Sequence, residues 1–529
     1  LRSRAEAAVK LLWSLSGWGD SGTGIHSHRP EIQCEWDEAS SVHLVYLYGE
    51  AVHKLGGSIR TLFDVLGKDR ERPKSLPAPK PKPKSERSLR IASVDVGGGT
   101  TDLMVTTYYQ TDNVALYPDQ NFREGFRIAG DDLLKAVIER LVIPRLEEGL
   151  TQAGVPNARN YLKDRFAGDN PNMSEQEKHL RRQFVLQVLQ PIAIGVLSEC
   201  EAMPPTSHKT EIRKAGSFFE ANGAPGAGGE IPVDKRILRY LTEDVGALED
   251  WQFTIAGCDI AIDPQAVEEC VLSIFDGVFD NIAEAVNHLD ADVVLLTGRP
   301  MRLPPMVNLF MNKMAVRPDC VIPIKDYRVG TWYPFRGVSN THIDDPKTTA
   351  VVGAMLCALS ERQITNFTLY SKYLRMKSTA RYIGRLQGNS TLPDETLLFS
   401  DIDLDAAGAS AEAEFDYHSP VRIGFRQLPL ERWVATPLYK LTAAPSRSSR
   451  GMKKPVRVTV ARNVETADGD EASQIELLSS EATREEFVIE DAEDADGVPV
   501  KRMMELKLDT LAVETGDGYW LDTGIISIQ

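Results

Sequence analysis

Two short apolar stretches separated by three glycines form the clearest pattern of hydrophobic and polar positions in this chain. Residues 91–96 and 101–105 are largely apolar or β-branched, and Gly97, Gly98 and Gly99 lie between them. Apolar stretches of this length, bounded by glycine, are typical of buried strands joined by a tight turn. The pattern therefore predicts a β-hairpin whose turn is the glycine triplet. An ordinary turn that binds no ligand is the alternative.

Helical spacing of apolar residues predicts helices on both sides of this hairpin. The helices are expected at residues 36–49, 131–143, 183–203, 263–289 and 345–358. Asp131 and Asp132 suit a helix start, where carboxylates oppose the helix dipole, and Pro144 is expected to end that helix. Pro191 is expected to kink or interrupt the helix at 183–203.

A buried strand followed by a turn rich in glycine and proline is predicted at residues 293–304. The strand residues are apolar except for Thr297, and Gly298 follows directly. A strand, a turn and a new helix are the expected order of structure. In the helix at 345–358, the small residues Gly353 and Ala354 predict a close crossing with another helix.

The character of the sequence changes after about residue 360, where apolar and polar residues alternate and β-branched side chains are frequent. This pattern predicts a β-rich domain. Strands are expected at residues 421–428, 454–461, 474–478 and 501–511, and the acidic stretch at 485–496 is expected to be an exposed loop. Residues 426–439 combine aromatic residues, arginine and proline, which suit either a core or a partner surface. Asp522-Thr523-Gly524 resembles the triplet of aspartic proteases, but a single copy does not indicate protease activity.

Residues 68–90 are predicted to form an extended, solvated linker or insertion. The segment contains repeated Lys-Pro pairs and carries nine basic residues against three acidic ones. Such a composition favours a spacer without packed structure. Contact with an acidic partner, a membrane or nucleic acid is the alternative.

Composition predicts a multi-domain protein. The 529 residues correspond to about three domains, and 42% of them are hydrophobic. A net charge of −16 argues against a general nucleic-acid binder. The six cysteines show no CxxC pairing, so reduced core thiols are expected. No stretch approaches the roughly 18 consecutive apolar residues of a membrane span.

Residues suited to a metal-bound nucleotide bracket the glycine triplet. Backbone N–H groups approach an anion closely where no Cβ is present, and a nest of such groups carries a positive potential. Asp95 and Asp102 offer carboxylate oxygens for Mg²⁺ or its waters, and Thr100 and Thr101 offer hydroxyl groups for phosphate. The sequence therefore predicts phosphate binding at the hairpin.

This hairpin resembles the second phosphate motif of the actin, Hsp70 and sugar-kinase ATPase superfamily, and other segments follow in that superfamily's order. Residues 126–134 are similar to an MreB-like and Hsp70-like segment in which a glycine and an acidic residue open a helix near the nucleoside. Residues 293–304 resemble the adenosine motif, and residues 36–49 and 345–358 resemble the two connecting helices. The resemblance implies an α/β actin-like ATPase fold, ribonuclease H-like, followed by the β-rich C-terminal domain.

The resemblance also implies a site for ATP and Mg²⁺ between two lobes. Asp95 would orient metal-bound water or the nucleophile, and Glu38 would polarise the attacking water, so these two are the expected catalytic residues. Asp95 and Asp102 are the expected metal-binding residues. The residues expected to contact the nucleotide are Gly97, Gly98, Gly99, Thr100, Thr101, Gly130, Glu199, Gly298 and Arg302.

Three positions depart from the superfamily pattern. Thr297 stands where a second glycine is usual, Ala202 replaces the lysine of a Glu-x-x-Lys pair that begins at Glu199, and Lys347 occupies an often acidic position. These departures favour a catalytically inactive nucleotide-binding scaffold. A filament-forming or chaperone-like assembly protein is a third hypothesis. Compensation of the helix dipole is an alternative explanation for Glu38.

The superfamily's first phosphate hairpin is expected before the first connecting helix. Residues 20–24 match its Asp-x-Gly sequence, but they follow a helix-like stretch and not a strand. A plain loop is expected there, and the chain is expected to be the C-terminal part of a longer protein. The predicted domains are a remnant of a first lobe at 1–67, the linker at 68–90, the second ATPase lobe at 91–360 and the β-rich domain at 361–529.

Three segments together resemble the bacterial virulence-factor SrfB family: Tyr46 to Tyr48, Leu296 to Pro304, and residues 426–439. This resemblance implies a Gram-negative bacterial protein that is cytoplasmic, with secretion as an effector left open. The two resemblances together imply an ATP-dependent conformational switch, an ATPase if the nucleotide is hydrolysed. Its protein partners would bind the β-rich C-terminal domain.

Overall fold

The chain divides into two compact units in a computed structural model. Unit 1 contains Leu1–Leu133 and Val271–Met376, and unit 2 contains Leu134–Cys270 and Lys377–Gln529. The structure describes residues 8–9, 11–12, 38–74, 76–77, 84–111, 114–168, 173–204, 209–219, 233–242, 253–336, 341–361, 363–374, 378, 380–388, 391–404, 411–433, 435–444, 452–462, 487–509 and 519–528. The loop expected at residues 20–24 lies outside the described residues.

The described strands and helices are numbered along the chain. The strands are β1 (Lys68–Arg70), β2 (Glu86–Val96), β3 (Thr101–Thr111), β4 (Ala115–Phe126), β5 (Glu211–Lys214), β6 (Asp259–Ile262), β7 (Val293–Thr297), β8 (Val321–Pro323), β9 (Thr368–Leu369), β10 (Tyr382–Arg385), β11 (Leu397–Phe399), β12 (Glu412–Tyr417), β13 (Val421–Arg426), β14 (Thr436–Ala443), β15 (Val456–Arg462), β16 (Phe487–Glu493) and β17 (Met504–Leu508). The α-helices are α1 (Glu38–Tyr48), α2 (Ile59–Leu66), α3 (Gly130–Val137), α4 (Ile143–Gln152), α5 (Ala158–Phe166), α6 (Glu175–Phe184), α7 (Gln190–Ala202), α8 (Gly216–Phe219), α9 (Lys235–Leu238), α10 (Pro264–His288), α11 (Pro304–Lys313), α12 (Thr348–Ser360) and α13 (Trp520–Thr523).

A seven-stranded mixed sheet forms the centre of unit 1. Its strand order is β8-β7-β2-β3-β4-β9, and β1 pairs with the first residues of β2. Strands β2, β3 and β4 form an antiparallel meander, whereas β7 runs parallel to β2 and β9 runs parallel to β4. The residues of β2 from Ile91 to Val96 are all buried, as in a strand that is covered on both faces. The predicted hairpin is present, because β2 ends at Val96 and β3 begins at Thr101.

Helices α1 and α12 cross closely and share one hydrophobic core with the sheet. That core contains Val42 of α1, Ile91 of β2, Leu295 of β7 and Leu356 of α12. At the crossing, a Cβ atom built on Gly353 would lie 2.1 Å from the backbone oxygen of Ser41. Glycine is therefore required here by contact distance, and the predicted close crossing is confirmed.

Strands β1 and β2 show that the prediction of a solvated linker at 68–90 is wrong at both ends. Lys68 pairs with Ser88 in the ladder, and the Arg72 side chain is buried and stacks near two tyrosine rings. Basic composition misled the prediction because the acidic partners are distant in the sequence, as with Arg70 and Asp292. Residues 75 and 78–83 of this segment lie outside the described residues.

Two long helices contain proline next to a π-helical turn. Helix α3 continues through π-helical Ile138–Val142 into α4, so the prediction that Pro144 ends this helix is wrong. Helix α6 continues through π-helical Val185–Leu189 into α7 beside Pro191. Proline lacks an N–H and its ring collides with the carbonyl of the preceding turn, and a wider π turn accommodates both defects. The long helix predicted at 263–289 is present as α10.

One helical stretch, Glu175–Ala202, is long and apolar enough by length and composition to cross a membrane. The sequence contains no uninterrupted apolar stretch of that length, and core helices of globular proteins can have the same length and composition. Phe184, Val188, Ile192 and Val196 of this stretch are fully buried. Core packing in unit 2 accounts for these four side chains.

Two antiparallel sheets in unit 2 confirm the prediction that the C-terminal region is rich in β-strands. The five-stranded sheet has the order β11-β10-β13-β14-β17, and the three-stranded sheet has the order β12-β15-β16. Both contribute to one core, which includes Ile423 and Leu441 from the first sheet and Val458 and Phe487 from the second. Trp433 is also buried, so core packing explains much of the aromatic cluster at 426–439.

Several details of this domain differ from the predictions. The acidic segment at 485–496 is not a loop, because its residues Phe487–Glu493 form β16 at the edge of the three-stranded sheet. The last strand is shorter than expected, since Lys501–Met503 is a 3₁₀ turn that precedes β17. The strand expected at 474–478 lies outside the described residues.

The predicted boundary at residue 361 is also wrong, as is the assignment of the whole C-terminus to the β-rich domain. Strand β9 belongs to the sheet of unit 1, so the division between the units lies near residue 377. At the other end, Arg181 donates to the Thr523 carbonyl over 3.1 Å, and the Ile526 N–H donates to the Phe166 carbonyl over 3.1 Å. The last described residues therefore pack on helices α5 and α6.

The described cysteines are free and buried, which confirms core thiols: Cys200, Cys258, Cys270, Cys320 and Cys357. Burial raises the pKa of the Cys200 thiol to about 12 and the pKa of the Cys270 thiol to about 11. These thiols are therefore protonated and poorly nucleophilic. Cys34 lies outside the described residues.

Candidate functional site

The glycine turn between β2 and β3 is held by the first residues of helix α3. The Gly97 N–H donates to the Thr100 carbonyl over 2.9 Å and closes the turn. The Gly130 N–H donates to the Gly97 carbonyl over 2.9 Å, and the Asp131 N–H donates to the Gly98 carbonyl over 2.8 Å. Two carbonyl groups of the turn therefore point toward the start of α3.

Planarity of the peptide bond then fixes the direction of the N–H groups in this turn. In a trans peptide, the carbonyl of one residue and the N–H of the next point to opposite sides. The N–H groups of Gly98 and Gly99 consequently point away from α3. Among the described residues, none accepts a hydrogen bond from these two groups, and both glycines are exposed. The turn presents two adjacent donors to solvent.

Close contacts, and not an unusual backbone conformation, favour glycine at Gly97 and at Gly130, whereas Gly98 has room for a Cβ atom; at Gly97 that atom would lie 3.0 Å from the Thr100 carbonyl oxygen. None of the three glycines of the triplet has a positive φ. A Cβ atom on Gly130 would lie 2.8 Å from Pro300 Cγ and 2.9 Å from the Gly97 carbonyl oxygen. A Cβ atom on Gly98 would lie 3.4 Å from the Asp131 carboxylate. The absence of a Cβ atom on Gly130 therefore allows the start of α3 to contact both the glycine turn and the 3₁₀ turn Pro300–Arg302.

Gly298 brings a second backbone segment against the end of β2. Its φ is +94°, and a Cβ atom there would lie 2.1 Å from the Val96 carbonyl oxygen and 2.7 Å from Asp95 Oδ1. Only glycine meets both conditions, because other residues rarely adopt this φ and their Cβ would collide with backbone. The predicted turn after β7 thus lies directly beside Asp95.

Asp95 is a buried carboxyl group in an acidic environment. It lies opposite Asp102 in the β2–β3 ladder, and its Oδ1 atom is buried without a hydrogen-bond partner. Burial, followed by the nearby carboxylate of Glu38, raises the pKa of Asp95 to about 7, while the charge of Lys347 opposes this shift. Asp95 therefore exchanges a proton near neutral pH, as a general acid or base does.

A cavity of about 10 Å³ lies beside this carboxyl group. Its lining includes Glu38, Asp95, Thr297, Gly298, Lys347 and Thr349. A volume of this order holds about one water molecule. The cavity has room for one water molecule beside the two carboxyl groups and is too small for a phosphate chain.

Helix crossing brings Glu38 and Lys347 into this cavity. Glu38 is the first residue of α1, Lys347 precedes the first residue of α12, and the two helices meet at Gly353 and Ser41. Sequence reasoning placed Glu38 here but assigned no role to Lys347. The sequence marked Lys347 only through the resemblance to the ATPase superfamily, whose Hsp70-like members often have an acidic residue at the matching position.

The residues present fit Mg²⁺ together with a phosphate ligand, and they do not form a closed metal cage. No group of three or more His, Cys, Asp or Glu side chains is arranged for a metal ion in the described part of the chain. Mg²⁺ keeps several waters and binds through one or two carboxylates and phosphate oxygens. Asp95, with its unpartnered Oδ1, and Asp102 would be the residues that hold it.

A larger cavity of about 190 Å³ lies elsewhere in unit 1. Its lining includes Leu66, Lys68, Asp290 and Val316. None of the residues predicted to bind nucleotide belongs to it, and its basic and acidic side chains largely neutralise one another. The glycine turn, with its two free donors, is therefore the candidate site.

A family model described as virulence factor SrfB matches residues 1–527 of the chain. The chain belongs to the SrfB family. The match covers both compact units, which agrees with a resemblance expected over most of the sequence. Comparison with curated proteins gave no match.

Several residues predicted to bind nucleotide are placed differently in this SrfB-family protein. The Thr101 hydroxyl is buried and donates to the Ile128 carbonyl over 2.7 Å, so it does not face the exposed side of the turn. Arg302 donates to the Asp344 carbonyl over 3.0 Å. Glu199 lies on α7 in unit 2 and pairs with Arg213 at 3.7 Å.

Replacing Asp95 with asparagine is expected to stabilise the metal-free protein at about pH 8 by roughly 2–4 kcal/mol. The folded state holds the Asp95 proton up to about pH 7, whereas the unfolded chain releases it near the ordinary pKa of 3.8. The Asp95 proton therefore makes its full contribution to the free energy of unfolding below pH 3.8. This contribution is lost as the pH rises through 7. Unfolding free energies of both proteins, measured across this range, should diverge as pH rises. A difference that does not change with pH would contradict the assignment.

Proposed function

We propose that this SrfB-family protein binds ATP at the glycine turn of unit 1 and acts as a nucleotide-dependent conformational switch. The observation that carries the proposal is the direction of the Gly98 and Gly99 N–H groups, which have no partner among the described residues. Adjacent backbone N–H groups of this kind attract anions. The Thr100 hydroxyl on this turn donates to Asp102 Oδ2 over 3.0 Å, and the Asp95 carboxyl lies at the end of β2; the hydroxyl and the two carboxyl groups suit a phosphate chain with its metal ion.

We also propose that unit 1 is an actin-like ATPase lobe. Three features support this fold assignment. The glycine turn joins two central antiparallel strands, the Gly298 turn lies beside Asp95, and α1 crosses α12 at Gly353. They occur in the chain in the order that the superfamily resemblance implies.

The cavity between Glu38 and Asp95 supports hydrolysis of the bound nucleotide. A water in this cavity would be in reach of both carboxyl groups, and Glu38 would accept a proton from it as a general base. Asp95 would orient the water and, being poised near neutral pH and hydrogen-bonded to Glu38, would take up the proton that Glu38 has accepted. Mg²⁺, when bound, would neutralise charge on the phosphate groups.

Nucleotide binding without turnover is the second candidate. Arg302 is tied to Asp344, and Lys347 brings a positive charge to a position where a metal-associated carboxylate is usual. Both features weaken the case for hydrolysis and leave the phosphate-binding turn unaffected. A scaffold that responds to bound nucleotide needs only the turn.

Measurement of ATP binding and turnover distinguishes these functions. Gly98→Val is expected to lower ATP affinity about tenfold or more, because a branched side chain covers the exposed N–H groups. Glu38→Gln is expected to leave binding intact and to lower kcat about 100-fold, because the amide is a poor base. Calorimetry and phosphate release would give the two quantities.

Two control variants match these changes. Gly388→Val alters an exposed glycine of unit 2 with open space around it, and Asp64→Asn removes an exposed carboxylate on α2. Neither should change ATP binding or turnover. Wild-type binding without any phosphate release would select the scaffold, and wild-type protein that binds no ATP would exclude both functions.

A further inference from the structure

Lys347 provides the positive charge at the Asp95 cavity. Among the described residues that line this cavity, the charged ones are Glu38, Asp95 and Lys347. The lysine is exposed overall, and no ion pair ties its ammonium group to a described carboxylate. Its side chain nevertheless borders the same cavity as Glu38 and Asp95. The ammonium group is therefore near the carboxyl pair and available to a ligand.

The two carboxyl groups would repel a phosphate chain placed over the glycine turn. Asp102, opposite Asp95 in the ladder, adds to this negative charge. In most nucleotide sites a divalent cation removes such repulsion by bridging carboxylate and phosphate oxygens. A lysine ammonium performs part of the same task as a point charge, and it binds phosphate readily.

Lys347 is held in place by its helix. The Lys347 N–H donates to Asp345 Oδ1 over 3.0 Å, and its carbonyl accepts from the Ala350 N–H over 3.3 Å at the start of α12. The close crossing at Gly353 then fixes the start of α12 relative to α1. The backbone of Lys347 is thus positioned independently of any bound ion.

We infer that Lys347 supplies part of the positive charge that a divalent cation would otherwise provide, so that the site binds the phosphate chain of ATP without Mg²⁺. The inference rests on the proposed ATP site and specifies the ion requirement of that site. It makes Lys347 a binding residue whose contribution is greatest when the metal is absent.

The test is ATP affinity measured by calorimetry on the full chain, in EDTA and in excess MgCl₂. Wild-type affinity in EDTA is expected to remain within about tenfold of its value with Mg²⁺. Lys347→Met removes the charge and keeps the length of the side chain. It is expected to lower affinity about tenfold or more in EDTA and much less with Mg²⁺, since the metal then supplies the charge. Lys372→Met, at an exposed lysine of unit 1, is the matched control and should change neither value.

The possible outcomes separate this inference from the function on which it rests. Strict dependence of wild-type binding on Mg²⁺, or equal losses for Lys347→Met in both conditions, would overturn the role of Lys347 and leave the ATP site standing. Failure of the wild type to bind ATP in either condition would remove the proposed function and this inference together. Circular dichroism of the Lys347→Met protein confirms that a loss of affinity is not a loss of fold.

Discussion

Replacing Asp292 with alanine is expected to destabilise unit 1 by about 3–5 kcal/mol, because the change leaves buried positive charge without its partner. The Asp292 side chain is fully buried. It accepts two bonds from Arg70, at 2.7 and 2.9 Å, and a third from the Arg90 N–H at 2.8 Å. The carboxylate therefore ties β1 to β2 and to the start of β7. Urea denaturation measures the loss.

Asp290→Asn is the matched control for this change, because Asp290 has a φ of +52°, which asparagine tolerates and alanine disfavours. Asp290 also pairs with Lys68 and Arg70, but its side chain is 62% exposed. Exposed ion pairs contribute about 0–1 kcal/mol, so the control should unfold nearly as the wild type does. Similar losses in the two variants would show that burial of Asp292 is not what makes this cluster important.

Replacing Gly353 with alanine is expected to destabilise unit 1 by about 3 kcal/mol or more through overpacking. The new Cβ would lie 2.1 Å from the Ser41 carbonyl oxygen and 2.5 Å from Ser41 Cα. Both atoms belong to the backbone of α1, so the collision is relieved only by separating the helices. Separation would also move Glu38 away from Lys347, and ATP binding should weaken together with thermal stability.

Gly277→Ala tests whether this cost is specific to the crossing. Gly277 also lies within a helix, α10, but a Cβ atom there would meet nothing within 4 Å. Alanine at an open helical position stabilises by roughly 0.5–1 kcal/mol through helix propensity. The two glycine replacements should therefore shift the melting temperature in opposite directions. A shift of the same sign in both would contradict the close crossing.

Features that depend on local pattern followed from the sequence. The hairpin at the glycine triplet, the strand before Gly298, the long helix α10 and the β-rich C-terminal region all have a periodicity or a turn signal within one segment. The crossing at Gly353 was predictable as well, since small residues in an otherwise apolar helix indicate close packing. Proline predicted helix ends less reliably. Pro144 lies inside a continuous helical stretch, because the preceding π-helical turn accommodates its missing N–H and its ring.

Candidate site residues followed from the sequence only in part. Glu38, Asp95, Gly97, Gly130 and Gly298 occur together because each one lies at or next to the end of a strand or helix of unit 1. Thr101 was misassigned, since alternation along β3 turns its side chain inward to the Ile128 carbonyl. Arg302 donates a hydrogen bond to the Asp344 carbonyl. Asp344 lies in a loop, and no local pattern in the sequence predicts the conformation of that loop.

By itself, the sequence determined membership in the SrfB family, the positions of most strands and helices, and the hairpin with its glycine turn. The tertiary structure alone decided the direction of the N–H groups at Gly98 and Gly99, which depends on two bonds from α3. It also decided the placement of Lys347 beside Asp95 and the pairing of Arg70 with Asp292, residues 222 positions apart. Periodicity within a segment specifies the segment, whereas contacts between distant segments arise only when the sheet and its helices pack.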